Sequence, residues 1–194
     1  MFNKRQKEIM QAAMDIAGKE GMKALTISNI ARRISVTDGA IYRHFSSKDE
    51  IIRSILNNIF LTMTQHVGEI ITQDDTASSK LKNIMEFVLR DFKENPAHES
   101  LLFAEEFIFG SDSLRVFIYN VVNTIQLYIQ QVIEQGQAQK ELTAEVDSKN
   151  ISLLFIGTIR VLVMKWKLSN YQLDIEEEGR RFYHTIMSLL RNAN

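Results

Sequence analysis

The stretch Thr26-Ile-Ser-Asn-Ile-Ala-Arg-Arg-Ile-Ser-Val-Thr-Asp-Gly-Ala-Ile-Tyr-Arg-His-Phe-Ser-Ser-Lys-Asp-Glu50 decides the fold of the amino-terminal part of this 194-residue chain. Apolar residues bracket Thr26 as a hydrophobic staple brackets an N-cap, so we expect a helix to begin there. Its helical apolar spacing stops at Ile34, and the hydroxyl groups of Ser35 and Thr37 suit a tight turn into a new helix. The pattern predicts two short helices joined by a turn of about three or four residues.

The second helix, predicted from about residue 37 to residue 44, has an apolar face and a polar, basic face. At about 3.6 residues per turn, Val36, Ile41 and Phe45 point inward. On the other face, small residues let the backbone approach a surface, Tyr and His can bond phosphate oxygens, and Arg can reach a phosphate or a guanine edge. With the neighbouring helix starts included, the predicted DNA contacts are Thr26, Thr37, Asp38, Gly39, Ala40, Tyr42, Arg43, His44 and Lys48.

A further helix start follows directly. Ser47-Lys-Asp-Glu50 fits a capping box, which predicts a helix from Ser47 with Lys48 in its first turn. A lysine there opposes the helix dipole, and an anionic partner nearby would explain it. The alternative interpretation is that this helix-turn-helix is only a packing corner of an all-helical protein.

The residues themselves favour the DNA-binding interpretation. The pattern Gly-x-Ile-Tyr-Arg-His-Phe-x-x-Lys-x-Glu, after Ile-Ala-x-x-Ile-x-Val, closely resembles the DNA-binding domain of the tetracycline repressor family. The resemblance covers residues 8–56, and it implies a homodimeric regulator whose last two helices form the dimer interface. One departure is Ser35, which replaces the turn glycine of many helix-turn-helix proteins. We expect serine to be tolerated in a turn that needs no positive φ.

The charge distribution supports two domains, a DNA-binding domain in residues 1–48 and a larger helical domain in residues 49–194. Residues 1–53 carry ten Lys and Arg against six Asp and Glu, a net of +4, whereas residues 54–194 carry thirteen against eighteen, a net of −5. The overall charge of −1 therefore conceals a basic amino-terminal part. Such a charge attracts DNA locally, and the affinity should fall as the salt concentration rises.

Other classes of function find little support in the residues. The chain has no cysteine, which excludes disulfides and cysteine-ligated metals and suits a reducing compartment. It lacks a secretory apolar start and any run of about 18 apolar residues, so we expect a cytoplasmic protein with no membrane partner. The histidines lie far apart, and neither a phosphate loop nor a nucleophile elbow appears. We expect no enzymatic activity, no metal and no cofactor.

From Glu50 onward the apolar residues recur at helical spacing, with a single proline and no alternating pattern. The predicted fold class is all-α, with an N-terminal three-helix helix-turn-helix domain and a larger C-terminal helical domain for ligand binding and dimerisation. Aromatic and methionine side chains of the middle helices could surround an apolar cavity or simply fill a core. The candidate pocket residues are Met63, Met85, Phe87, Phe92, Phe103, Phe107, Phe117 and Tyr128.

The last two predicted helices carry more apolar surface than one domain readily covers. Residues 151–166 are apolar nearly all round the helix, which indicates a second packing partner. We expect that partner to be the same helix pair of a second chain, and the alternative is the innermost helix of a monomer. The predicted dimer interface comprises Ile151, Phe155, Ile159, Leu162, Trp166, Phe182, Tyr183, Ile186, Leu189 and Leu190.

The predicted function is therefore a homodimeric DNA-binding transcriptional regulator. As the resemblance implies, it would act as a repressor that an apolar or amphipathic small molecule releases from double-stranded operator DNA. Dimerisation has a geometric reason, because two recognition helices about 34 Å apart read successive major-groove faces of a palindrome. The alternative is a helical dimeric scaffold or protein-binding module that has lost DNA binding, and it would show no salt-dependent affinity for a palindrome.

Overall fold

The computed structural model describes residues 2–104 and 108–191, and these confirm the predicted all-α fold class. In the described residues, the only β pairing is an isolated bridge between Leu142 and Arg191. A short 3₁₀-helix, Met22–Ala24, follows the first α-helix. The described α-helices are α1 Lys4–Glu20, α2 Ile27–Arg33, α3 Asp38–Tyr42, α4 Lys48–Ile71, α5 Ala77–Glu94, α6 Pro96–Leu102, α7 Asp112–Ala138, α8 Ser148–Leu168 and α9 Ile175–Leu190.

The chain divides into two compact units by its internal contacts. The first unit is Met1–Thr62 with Asn95–Asn120, and the second is Met63–Glu94 with Val121–Asn194. In the first unit α6 packs on α1, and α4 continues unbroken past residue 48. The predicted domain boundary at residue 48 stays a prediction. The DNA-binding domain that we proposed for residues 1–48 is therefore one part of the first unit.

In the first unit, α1 supplies an apolar face against which other helices pack. Ile9, Ala13 and Ala17 recur at helical spacing and are fully buried. α6 packs against α1 at Gly18, where an added Cβ would lie 3.1 Å from the Cβ of Ala97. The absence of a side chain at Gly18 thus allows the two helices to approach closely.

In the second unit, the start of α5 is bound by two distant segments. Glu141, just after α7, accepts hydrogen bonds from the backbone N–H groups of Ala77 at 2.8 Å and Ser78 at 2.9 Å. Burial opposes ionisation of this carboxyl group, but hydrogen bonds from Ser78, Ala77 and Thr76 outweigh burial and hold its pKa below the usual range. From α9, the hydroxyl group of Tyr183 donates to the Ser78 carbonyl at 2.8 Å. Three segments therefore meet at one helix start.

Candidate nucleic-acid interface

Both helices of the helix-turn-helix begin where their hydroxyl residues predict. Thr26 Oγ1 accepts a hydrogen bond from the N–H of Asn29 at 3.2 Å, and α2 starts at the next residue. Thr37 Oγ1 accepts from the N–H of Ala40 at 3.3 Å, and α3 starts at Asp38. Each cap satisfies a backbone donor that has no partner within its own helix.

The turn between α2 and α3 corrects one expectation from the sequence. Ser35 has a φ of +56°, in the left-handed region, although we expected a turn that needs no positive φ. The N–H of Ser35 donates to the Arg32 carbonyl at 3.2 Å, and the N–H of Val36 donates to the Ala31 carbonyl at 2.9 Å. These two bonds form a Schellman motif, whose left-handed position favours glycine. Serine occupies it at a cost of about 1–2 kcal/mol.

The recognition helix α3 is shorter than the predicted residues 37–44. It ends at Tyr42, and the N–H of Phe45 still donates to the Ile41 carbonyl at 3.1 Å. Ile41 and Phe45 are buried as predicted, and Val36 is half-buried. These apolar side chains anchor α3, so that its opposite face is left to solvent.

The predicted DNA contacts lie on this face of α3 and on the neighbouring starts of α2 and α4. Six of them, Thr26, Thr37, Asp38, Gly39, Tyr42 and Arg43, are exposed, and Ala40, His44 and Lys48 are half-buried. Tyr42 leaves 55% of its surface exposed, although an aromatic residue in a packing corner would normally be covered. The burial pattern supports a surface for DNA, and the individual contacts remain predictions.

The connection from α3 to α4 differs in detail from the predicted capping box. Ser47 Oγ accepts from the N–H of Glu50 at 3.1 Å, as a cap should. The Glu50 carboxylate, however, reaches back to Ser46, where it accepts from the N–H at 2.6 Å and from the hydroxyl group at 2.7 Å. These bonds lower the pKa of Glu50, and they hold the loop that precedes Lys48 in α4.

The start of α1 lies beside the end of the recognition helix. The side-chain amide of Gln6 donates to the carbonyl of His44 at 3.4 Å, and Asn3 and Gln6 cap α1 reciprocally. Lys4 and Lys7 are exposed on this helix start. Their place beside α3 extends the basic surface beyond our predicted contacts, and the basic pattern at the amino terminus was the signal for it.

Two side-chain contacts on α2 were not predicted from the sequence. Ser28 Oγ donates to Asp38 Oδ2 at 2.6 Å, which joins α2 directly to the first residue of α3. Arg33 forms an ion pair with Glu20 of α1. The ion pair directs the Arg33 side chain toward α1. The hydrogen bond from Ser28 fixes the Asp38 carboxylate within the predicted DNA surface.

The candidate pocket residues occur in both compact units. Met63, Met85 and Phe92 are buried in the second unit, with Phe87 and Tyr128 half-buried there, whereas Phe103 and Phe117 are half-buried in the first unit. The Phe87 ring stacks on His66 with a centroid distance of 4.8 Å. Phe107 lies outside the described residues. The pocket therefore remains a prediction.

The predicted dimer residues mostly face the interior of their own chain. Eight of the ten are buried, namely Ile151, Phe155, Ile159, Leu162, Trp166, Tyr183, Ile186 and Leu190. Phe182 is half-buried, and Leu189 is exposed. Because α8 is apolar nearly all round, the sequence could not show which stripe its own domain would cover. Those eight residues therefore face the interior of their own chain, and their part in a dimer interface stays a prediction.

The exposed apolar stripe of α8 consists of different residues. We call it the α8 seam, and it begins at the polar Asn150 and continues with Leu154, Gly157, Val161, Met164 and Leu168, all of which are exposed. A groove of about 710 Å³ lies along its first four residues, bordered also by Leu153, Thr158, Leu162 and Lys165. This groove belongs wholly to the second unit.

The described residues contain neither a metal-binding cluster nor a helix that could cross a membrane. In the ranges 2–104 and 108–191, no group of three or more His, Asp or Glu side chains is arranged to hold a metal ion. No helix in the same ranges combines the length and the hydropathy needed to cross a membrane.

Comparison with known protein families settles the class of this molecule. Residues 9–55 match the bacterial regulatory proteins of the tetR family, and residues 56–189 match the C-terminal region of YsiA-like proteins. The chain belongs to the tetR family. The resemblance seen in the sequence is confirmed, and the protein is a helix-turn-helix DNA-binding regulator.

Individual relatives are distant but similar over nearly their whole length. The chain is 20% identical over 188 residues to the nucleoid occlusion factor SlmA of Vibrio atlanticus, with 96% of each chain covered. It also resembles the structure of the fatty acid degradation regulator FadR from Bacillus halodurans, with a TM-score of 0.84, 16% identity and 96% of each chain covered. The transcriptional regulator FadR from Bacillus subtilis in complex with stearoyl-CoA gives a TM-score of 0.81 at 20% identity, covering 94% of this chain and 97% of that chain.

Proposed function

We propose that this tetR-family regulator is a homodimeric repressor. Its free form would occupy a palindromic operator, and a small molecule bound within residues 49–194 would release it. The observation that supports a dimer is the α8 seam, a largely apolar stripe that is exposed to solvent in a single chain. The operator then follows from symmetry, because a two-fold dimer presents two identical recognition helices to two half-sites.

The α8 seam has the spacing of a helix that packs on another helix. Its six residues recur at alternating intervals of four and three, as in a two-stranded coiled coil. Leu168 leaves 75% of its surface exposed, and Leu189 on α9 leaves 73%. Gly157 lies mid-seam with open space around its Cβ position, which allows a second backbone to approach closely. We infer that two copies pair through this seam.

We infer that the effector is amphipathic, with a long apolar part such as an acyl chain. The support is the likeness to Bacillus subtilis FadR, which holds stearoyl-CoA, together with the buried Met63, Met85 and Phe92 of this chain. Unbranched methionine side chains fill space adaptably and tolerate a variable apolar ligand. To release DNA, the effector must bind the DNA-incompetent arrangement more tightly. A coupling of about 1–3 kcal/mol would weaken DNA binding about 5- to 150-fold.

Helix α4 provides a continuous path from residues of the C-terminal domain to the helix-turn-helix. It runs for 24 residues, with Lys48 at its start and Met63 in its second half. Because a helix is stiff, we expect displacement of its second half to move the Lys48 end as well. Such movement would change the separation of the two recognition helices in the dimer, on which operator binding depends.

We expect the protein to shift DNA from immediately upstream of its own gene, and a long-chain acyl-CoA to reverse that shift. An electrophoretic assay with free coenzyme A as the control measures both effects. Release by acyl-CoA alone, by about 5- to 150-fold, would support the effector class. A specific shift that no acyl-CoA alters would leave the regulator intact and reject the effector, whereas the absence of any specific shift would reject the repressor.

We also expect Tyr42→Phe and Lys48→Ala to weaken binding to all DNA sequences, because hydroxyl and ammonium groups bond phosphates. Loss of one charge-assisted bond predicts a decrease of about tenfold or more, and Lys48→Ala should reduce the salt slope by about one. Arg43→Ala should instead change which sequence is preferred. Tyr119→Phe, at an exposed tyrosine of α7, is the matched control.

Fluorescence anisotropy with an operator and a scrambled duplex, at several salt concentrations, separates these effects. An equal loss on both duplexes for Arg43→Ala would make Arg43 a phosphate contact. Unchanged affinity for Tyr42→Phe would remove Tyr42 from the interface.

A further inference from the structure

An acidic side chain lies at the centre of the predicted DNA surface. Asp38 is the first residue of α3, is exposed, and belongs to a part of the chain whose net charge is positive. Its Oδ2 atom accepts the hydroxyl hydrogen of Ser28 at 2.6 Å. Among the ion pairs between described residues, none includes Asp38. The exposed Asp38 carboxylate therefore has a hydroxyl partner and, within the described part of the chain, no ion-pair partner.

A carboxylate in this place has an energetic consequence for every DNA sequence. DNA carries one phosphate charge per about 1.7 Å of its axis, so Asp38 is repelled by the surface that the surrounding basic residues attract. An acid in the first turn of a helix also interacts favourably with the helix dipole. That stabilisation does not require a hydrogen bond from another helix, such as the one from Ser28 on α2. The hydrogen bond from Ser28 fixes the orientation of one carboxylate oxygen, and the second oxygen remains able to accept.

The major groove offers such a carboxylate few favourable partners. The exposed donors there are the amino groups of cytosine N4 and adenine N6, and acidic side chains accept chiefly from cytosine. A guanine edge presents two acceptors, and the thymine edge presents an acceptor and a methyl group. The carboxylate is thus attracted by the two amino-bearing bases, cytosine above all, and repelled by guanine and thymine.

We propose that Asp38 is a specificity-determining residue that selects an amino-bearing base, cytosine foremost, at one position of each half-site, and that Ser28 is its positioning residue. Asp38 lowers the affinity for DNA with any other base at that position and for non-specific DNA. It thereby increases the discrimination between operator and other sequences. This inference rests on the proposed function, because it requires that α3 enter the major groove of an operator.

Selection from a randomised duplex library, followed by affinity measurements on single-base variants of the selected site, tests the proposal. The wild type should select cytosine or adenine at one symmetric position. Asp38→Ala should lose that preference by about 5- to 140-fold and bind non-specific DNA more tightly, because the repelled carboxylate is gone. Asp38→Asn should shift the preference toward adenine, because an amide can bond adenine in a bidentate manner.

The positioning role of Ser28 has its own readout. Ser28→Ala should reduce the preference at the same base without raising non-specific affinity, because the charge remains, and Ser28→Thr should restore the preference. Asp15→Ala, which removes an acid from α1, is the matched charge control and should leave the preference unchanged. Thermal unfolding of each variant shows whether the fold persists.

Several results would overturn the proposal. A uniform loss of affinity in Asp38→Ala, together with a lower melting temperature, would make Asp38 a helix-stabilising acid only. An unchanged preference in Asp38→Ala would also overturn it. Neither result affects the proposed repressor, because the wild type would still select a palindrome. Failure of the wild type to select any sequence would instead reject the repressor itself.

Discussion

The Val161→Glu variant is expected to be a folded monomer with at least about 100-fold weaker affinity for a palindromic operator. Val161 lies in the α8 seam and leaves 48% of its surface exposed, so the substitution leaves the interior of the chain untouched. In a two-fold dimer, the two introduced carboxylates would lose water and would repel each other near the axis. A monomer then binds each half-site separately. It lacks the higher affinity that a dimer obtains by binding both half-sites at once.

Analytical ultracentrifugation measures the state of association, and fluorescence anisotropy measures operator affinity. Val146→Glu is the matched control, because Val146 leaves 40% of its surface exposed and precedes α8 outside the seam. That variant should remain dimeric and retain operator affinity. A Val161→Glu protein that still associates with wild-type affinity would show that the dimer uses another surface.

The Gly136→Ala substitution is expected to lower the free energy of unfolding by about 1–3 kcal/mol. An added Cβ would lie 2.7 Å from the Cβ of Ala77 and 2.8 Å from Cδ1 of Leu142. Both neighbours are fully buried, and Ala77 has no flexible side chain that could move aside. The substitution would therefore push α7 away from the start of α5 and would also disturb the hydrogen bonds that Glu141 accepts there.

Urea denaturation measures this loss as a lower transition midpoint. Gly68→Ala is the matched control, because Gly68 also lies within a helix but has no atom within 4 Å of its Cβ position. It should raise the free energy of unfolding by up to about 1 kcal/mol, the difference in helix propensity between alanine and glycine. Equal stability of the two variants would show that the neighbours of Gly136 accommodate the added Cβ without a loss of free energy of unfolding.

Features of this fold that depend on local interactions could be predicted from the sequence, whereas those that depend on long-range packing could not. Thr26 and Thr37 were identifiable as caps because a cap joins residues three apart, and both bonds are present. The buried Ile41 and the exposed Tyr42 followed from helical periodicity. Ser35 was misjudged, because a left-handed φ depends on how the preceding helix ends, which the residue type alone does not reveal.

The sequence by itself determined that the chain is helical, where the helix-turn-helix begins, and which side chains α3 presents to solvent. These features depend on residue types a few positions apart, whose hydrogen bonds and periodicity are local. Only the tertiary structure decided that Phe155 and Ile159 face the interior while Val161 and Leu168 face solvent. It alone joined Ser28 to Asp38. The physical reason is that a helix apolar all round can bury either stripe, and the packing of α5 and α9 against α8 selects one of them.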